Sequence, residues 1–179
     1  MANKVEPLIT PDEVQEILAA PKETTKAIAW SGKPAGGGPA QWMEFSCACK
    51  VEGEVRDDVT FRVIYRAART DVHGQAAVML GETFSASLFV GPHRVLGVDT
   101  DDSFHTSVVG ADLPHFRKPL TARSHLHVWV AEGEGYAEPV TPDLADIGAL
   151  MDHFLPRANL SLTGGFVHPY KGRQIELIL

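Results

Sequence analysis

The chain reads as an α+β domain. We expect an antiparallel β-sheet of about five to seven strands, with an N-terminal helix and a C-terminal helix packed on one face. Three observations predict it. Apolar residues alternate with polar ones in short runs, the pattern of half-buried strands. Turn signals, not helices, separate those runs, so neighbouring strands should run antiparallel. A segment of helical spacing lies on either side of the strand-rich body.

The first helix opens at Thr10-Pro11-Asp12-Glu13: a capping threonine, proline at the first helical position, and glutamate three residues after the cap. Val14, Ile17 and Leu18 follow at helical spacing, and Pro21 closes the segment. Residues 32–39 are rich in glycine and proline and read as a flexible connection. Met43, Phe45, Cys47, Cys49 and Val51 then alternate with polar residues, as do Val59, Phe61, Val63 and Tyr65. Gly53 between them predicts a hairpin. Asp71-Val72-His73-Gly74 is a turn candidate, followed by strands over 75–80, 83–90 and 94–99. The stretch 99–123 has little periodicity. Ser124 to Val130 is a strand ended by Gly133-Glu134-Gly135, and Tyr136 to Val140 can return beside it. Thr141-Pro142-Asp143 opens a second helix whose apolar stripe runs from Leu144 to Leu155, with Pro156 as its stop. Residues 175–179 form a last apolar run.

Bulk properties narrow the function classes. With 179 residues, 44% hydrophobic and 22% charged, the chain fits one globular domain spanning 1–179. No apolar run reaches the length of a membrane helix and no signal-peptide core is visible, so we expect a cytoplasmic protein without membrane contact. A net charge of −7 disfavours extended nucleic-acid binding. Cys47 and Cys49 share a strand face with Met43, Phe45 and Val51 and read as core residues. Phosphate-loop, dinucleotide, zinc-protease and serine-hydrolase motifs do not occur.

Chemistry concentrates at one place. In Ser124-His125-Leu126-His127-Val128-Trp129-Val130 the strand period sends His125, His127 and Trp129 to one face and the aliphatic residues to the other. Pairing with the strand that carries Arg94 and Asp99 would bring a guanidinium and a carboxylate to the imidazoles, with His105 arriving from the loop. Imidazole titrates near neutrality and suits acid–base work. Arginine suits phosphate or an oxyanion, and aspartate orients an imidazole. If the protein is an enzyme, His105, His127, Arg94 and Asp99 are its catalytic candidates. If it is a binder, His125, Trp129 and Tyr136 line the contact surface. His125 and His127 alone are too few ligands for zinc, so we expect no cofactor and no metal.

From Arg94 to Leu155 the chain resembles a family of uncharacterised small proteins found in phage and prophage neighbourhoods. The shared features are Arg94 and Asp99 on a strand end, His105 in a loop, His125-Leu126-His127, the acid–glycine turn Glu132-Gly133, and the closing helix over Asp143 to Leu155. Ser107 stands where the family carries asparagine. The resemblance implies a small α+β domain and no defined activity. We therefore expect a small acidic binding protein, phage-encoded as the resemblance implies, whose partner is a host defence protein or a nucleotide-like ligand. The alternative is a histidine-dependent phosphodiesterase or nuclease of toxin type. Self-association is left open.

Overall fold

A computed structural model of the protein describes residues 9–33, 42–74, 76–101 and 105–170. Its elements are α1 (Pro11–Ala19), β1 (Lys22–Thr24), β2 (Ser31–Lys33), β3 (Trp42–Val51), β4 (Glu54–Arg66), β5 (Arg69–His73), β6 (Ala76–Leu80), β7 (Thr83–Val90), β8 (His93–Thr100), β9 (His105–Thr106), β10 (Pro119–Leu120), β11 (Ser124–Val130), β12 (Gly133–Pro139), α2 (Ile147–Ala158) and β13 (Leu160–Ser161).

The predicted architecture needs correction. The protein is mostly β: a single curled, mixed sheet of nine strands dominates it, not an antiparallel sheet of five to seven. Its order is β12-β11-β8-β7-β4-β3-β1-β13, with β2 also paired to β3. Among the described residues, all pairings within this sheet are antiparallel except β1 with β13. The extra strands escape a sequence reading for a physical reason. β1, β2 and β13 have two or three residues each, too few to display a period of two.

Alternation does shape the long strands. Phe45, Val63, Ala86, Val98 and Leu126 form one cross-strand row. That row belongs to the hydrophobic core, which α2 completes with Ile147, Leu150, Met151 and Phe154. The neighbouring rows face the other way. Ser46, Arg62, Ser87, Gly97 and His127 make one, and Glu44, Ile64, Ser85, Asp99 and His125 make the next. The sheet therefore has an apolar face under the helices and a polar face that carries the chemistry. Cys47 and Cys49 are buried free thiols, and burial pushes Cys49 up to about 11.

Local elements follow local chemistry. Thr10 caps α1 with the full capping box. Glu52 and Gly53, both at positive φ, turn β3 into β4. The predicted turn at Asp71-Val72-His73-Gly74 is corrected: residues up to His73 belong to β5, and the chain turns after it into β6. Gly32 and Lys33 lie in β2, whereas 34–39 and 175–179 fall outside the described residues. α2 starts later than predicted because Asp143 is engaged elsewhere, accepting the Ser124 N–H at 2.8 Å. Asp146 caps the helix instead. Pro156 does not stop α2. It lies inside the last turn at the loss of one backbone bond, and Asn159 in the left-handed conformation ends the helix.

One feature frames the site and another closes the opposite edge of the sheet. Residues 105–123 are an ordered flap, with β9 paired to β10 and Arg117 N–H bonded to Ser107 O at 2.9 Å. The buried Ser107 hydroxyl accepts Ala137 N–H at 2.9 Å, which fastens the flap to β12. Far from there, a clasp joins the first strand to the last. Lys22 N–H donates to Asn159 O at 2.8 Å, and the Asn159 side chain donates to Ala19 O at 2.7 Å.

Gly110 tests the flap. Its φ is +76°, and a Cβ there would lie 2.9 Å from both the Tyr136 ring and Leu113. Gly110→Ala should lose about 1–2 kcal/mol from the left-handed backbone alone, with the contact adding to it. An unchanged urea midpoint would refute this account.

Candidate functional site

The register of two strands builds the site. β8 and β11 pair so that Asp99 lies directly opposite His125 and Gly97 opposite His127. Side chains of directly opposed residues leave the sheet on one face. Arg94 joins them only through a bulge. Leu88 pairs with Leu96 but Phe89 pairs with Arg94, so Val95 is an extra residue on β8. Arg94 and Asp99 are five positions apart and would point to opposite faces of a regular strand. The bulge restores them to the same one. Gly97 supplies the space: a Cβ there would meet Arg94 Cδ at 3.1 Å.

Asp99 is the hub. Its Oδ2 lies 2.9 Å from His127 Nε2 and 3.5 Å from Arg94 Nη1. Its Oδ1 lies 3.5 Å from His125 Nδ1 and has no hydrogen-bond partner. Burial by itself would raise the Asp99 pKa. His125, His127 and Arg94 outweigh it and hold the carboxyl well below the usual carboxylate range.

These contacts assign a tautomer. Arg94 Nη2 is 3.0 Å from His127 Nδ1. A guanidinium only donates, so Nδ1 accepts and the His127 proton sits on Nε2, where it donates to Asp99. Both ring nitrogens of His127 are thus committed. His105 hydrogen-bonds the Gly135 backbone. Its Nε2 is buried and unpartnered, so that bond falls to Nδ1. Its ring centroid is 4.9 Å from that of His127 and 5.9 Å from that of His125. Burial and the two neighbouring imidazoles push the His105 pKa down. Asp99, working against burial, pushes that of His125 up.

His105, His125, His127, Arg94 and Asp99 therefore come together. Trp129 and Tyr136 stand apart from them. The Trp129 indole belongs to the main hydrophobic cluster and lies edge-on to His93, with centroids 5.5 Å apart. Tyr136 pairs with Val128, on the face opposite His127, and is fully buried against the flap. Its hydroxyl accepts His115 N–H at 3.3 Å.

Sequence reasoning missed the wall beside Arg94. Arg62, Ile64, Ser85, Ser87, Phe89, Pro92, Arg94 and Glu134 line a cavity of about 290 Å³. Arg62 is tied to Glu44 at 3.1 Å, and Glu134 accepts the Arg94 backbone N–H at 2.9 Å. The signal was present, since Ser85, Ser87 and Phe89 are the non-core positions of β7. Nothing in one strand shows which neighbours share that face.

No protein-family model, curated protein or solved structure matches this chain. Function must therefore be argued from the site itself.

The opposed shifts give a pH signature. His125, raised in the folded state, contributes stability that is complete below the unfolded value near 6.5 and is lost as pH rises through its folded value. His105, lowered, works against folding as pH falls below 6.5. A histidine NMR titration should show the two midpoints on opposite sides of 6.5. Asp99→Asn should bring the His125 midpoint down and cost about 2–4 kcal/mol. Coincident midpoints, or no response of His125 to Asp99→Asn, would contradict this electrostatic account.

Proposed function

We propose that the protein is a non-catalytic binding protein for a small, phosphate-bearing, nucleotide-like ligand. The observation that carries this reading is the wall at Arg94. A guanidinium oriented by Asp99 and His127 borders a cavity that also offers Arg62, two serine hydroxyls and the Phe89 ring. Arginine and hydroxyl groups suit phosphate oxygens. An aromatic face suits a base. The cavity is small and the chain is acidic, which fits a nucleotide better than a polymer.

Among the described residues no helix is long and apolar enough to cross a membrane. On this reading the protein works in the cytoplasm. The resemblance of residues 94–155 to phage-associated proteins makes a signalling nucleotide of host defence a natural ligand, and a host protein a second kind of partner.

One observation favours the hydrolytic alternative: the His105 and His127 rings are close enough to share a substrate. The Arg94–His127–Asp99 chain weighs against it, because His127 has no free nitrogen with which to move a proton.

Calorimetric titration with nucleoside monophosphates, diphosphates and cyclic nucleotides separates the readings. Binding tighter than about 1 mM should appear, and Arg94→Ala should weaken it at least ~10-fold. Wild type should cleave neither RNA, DNA nor cyclic nucleotides, with or without metal. Cleavage lost in both His105→Ala and His127→Ala would establish the enzyme instead. Silence in every titration would refute the binder.

A further inference from the structure

The nucleotide reading uses the wall at Arg94. It leaves the outer side of α1 unexplained. Two hollows lie beside this helix, of about 430 Å³ and about 550 Å³. Glu16 and Ile17 of α1 and Arg56 of β4 line both, so the two join into one groove. With the cavity at Arg94 this groove shares Pro92 alone. Ile9 and Ile17 give it apolar walls from the helix side, and Val51 and Val90 from the sheet.

The strands beside the helix leave the groove open. β3 pairs Ala48 with Thr60 but Cys49 with Arg56, so Asp57, Asp58 and Val59 are extra residues on β4. β7 flanks β4 only from Arg66 back to Val59, because it ends at Val90, where Gly91-Pro92 turns the chain into β8. Glu54, Val55 and Arg56 therefore pair with β3 alone. Among the described residues no strand takes their other edge. Such an edge presents unpaired backbone N–H and C=O groups, which suit a peptide and not a free amine.

Charge selects the kind of peptide. Glu13, Glu16, Glu52 and Asp58 line the groove, against Arg56 as its one lysine or arginine. Arg56 is held by Asp58 through two hydrogen bonds of 2.7 and 2.6 Å, so that pair is neutral. Glu13 accepts the Thr10 N–H and hydroxyl at the start of α1. The side chains of Glu16 and Glu52 have neither an ion pair nor a hydrogen bond. We infer that this groove docks an extended, lysine- or arginine-bearing segment of a partner protein, with its cations at Glu16 and Glu52 and its apolar side chains against Ile17 and Val51. Opposite charges set the register and speed the encounter, and the apolar walls add affinity.

The test uses peptide alone, so its outcome does not depend on the nucleotide reading. The probe is a capped heptapeptide of alternating lysine and valine, titrated into isotope-labelled protein and followed by amide NMR. A Kd of about 100 µM or tighter should appear, with the largest shifts at Glu16, Ile17 and Arg56. Glu16→Lys and Glu52→Lys should each weaken binding at least ~5-fold. Both positions are exposed, so the fold should survive the change. Asp112→Lys makes the same change of net charge on the exposed flap and should leave the affinity as it was. Serine in place of valine in the peptide should cost at least ~10-fold, and glutamate in place of lysine should abolish binding. Silence at millimolar peptide, equal loss in Asp112→Lys, or shifts confined to other surfaces would overturn the proposal. So would spermine binding as tightly as the peptide, which would make the occupant a small amine. Sedimentation showing a dimer that Glu16→Lys dissolves would assign the groove to a second copy of the chain instead.

Discussion

A carboxylate withdrawn from water has to be answered by positive charge or by donors. Asp99 is that carboxylate here, with its side chain 19% exposed. Desolvation alone would raise its pKa. His127 and Arg94 at one oxygen and His125 at the other keep it ionised. The dependence is mutual. Arg94 would have no reason to lie flat across Gly97, nor His127 to hold a single tautomer, without that charge. Every contact in turn requires β8 and β11 to pair in one register. A slip of one residue would exchange the polar and apolar faces of β11 and set Leu126 against Asp99.

How much of this was legible in the sequence depends on range. The His125/His127 face could be read because strand alternation is local and has a fixed period. The company of Asp99 could be expected from the proximity of two strands along the chain. Arg94 is different. A strict period places it opposite Asp99, and only the bulge at Val95 brings it round. That bulge has no signature of its own in the residues around it. Trp129 obeys the same alternation on paper but joins the hydrophobic core, at the register shift that β11 and β12 make between Val128 and Val130.

The sheet was undercounted for a related reason. Periodicity needs length, and β1, β2 and β13, at two or three residues each, owe their existence to the strands they pair with, not to their own composition. The start of α2 was misplaced because Asp143, read as an acid of its first turn, is taken by the Ser124 amide. Both errors are cases in which a tertiary contact claims a group that local rules had assigned elsewhere.

The clasp between Lys22 and Asn159 has a bearing on how the chain comes off the ribosome. A strand lying alongside a segment synthesised more than a hundred residues later has an open edge for most of translation. Closing so long a ring costs only logarithmically more than closing a short one, yet its timing is set by elongation and not by diffusion. The β1 edge of the sheet is therefore sealed only once β13 has been made. Until Asn159 and the two residues after it emerge, that edge of β1 stays open to other partners.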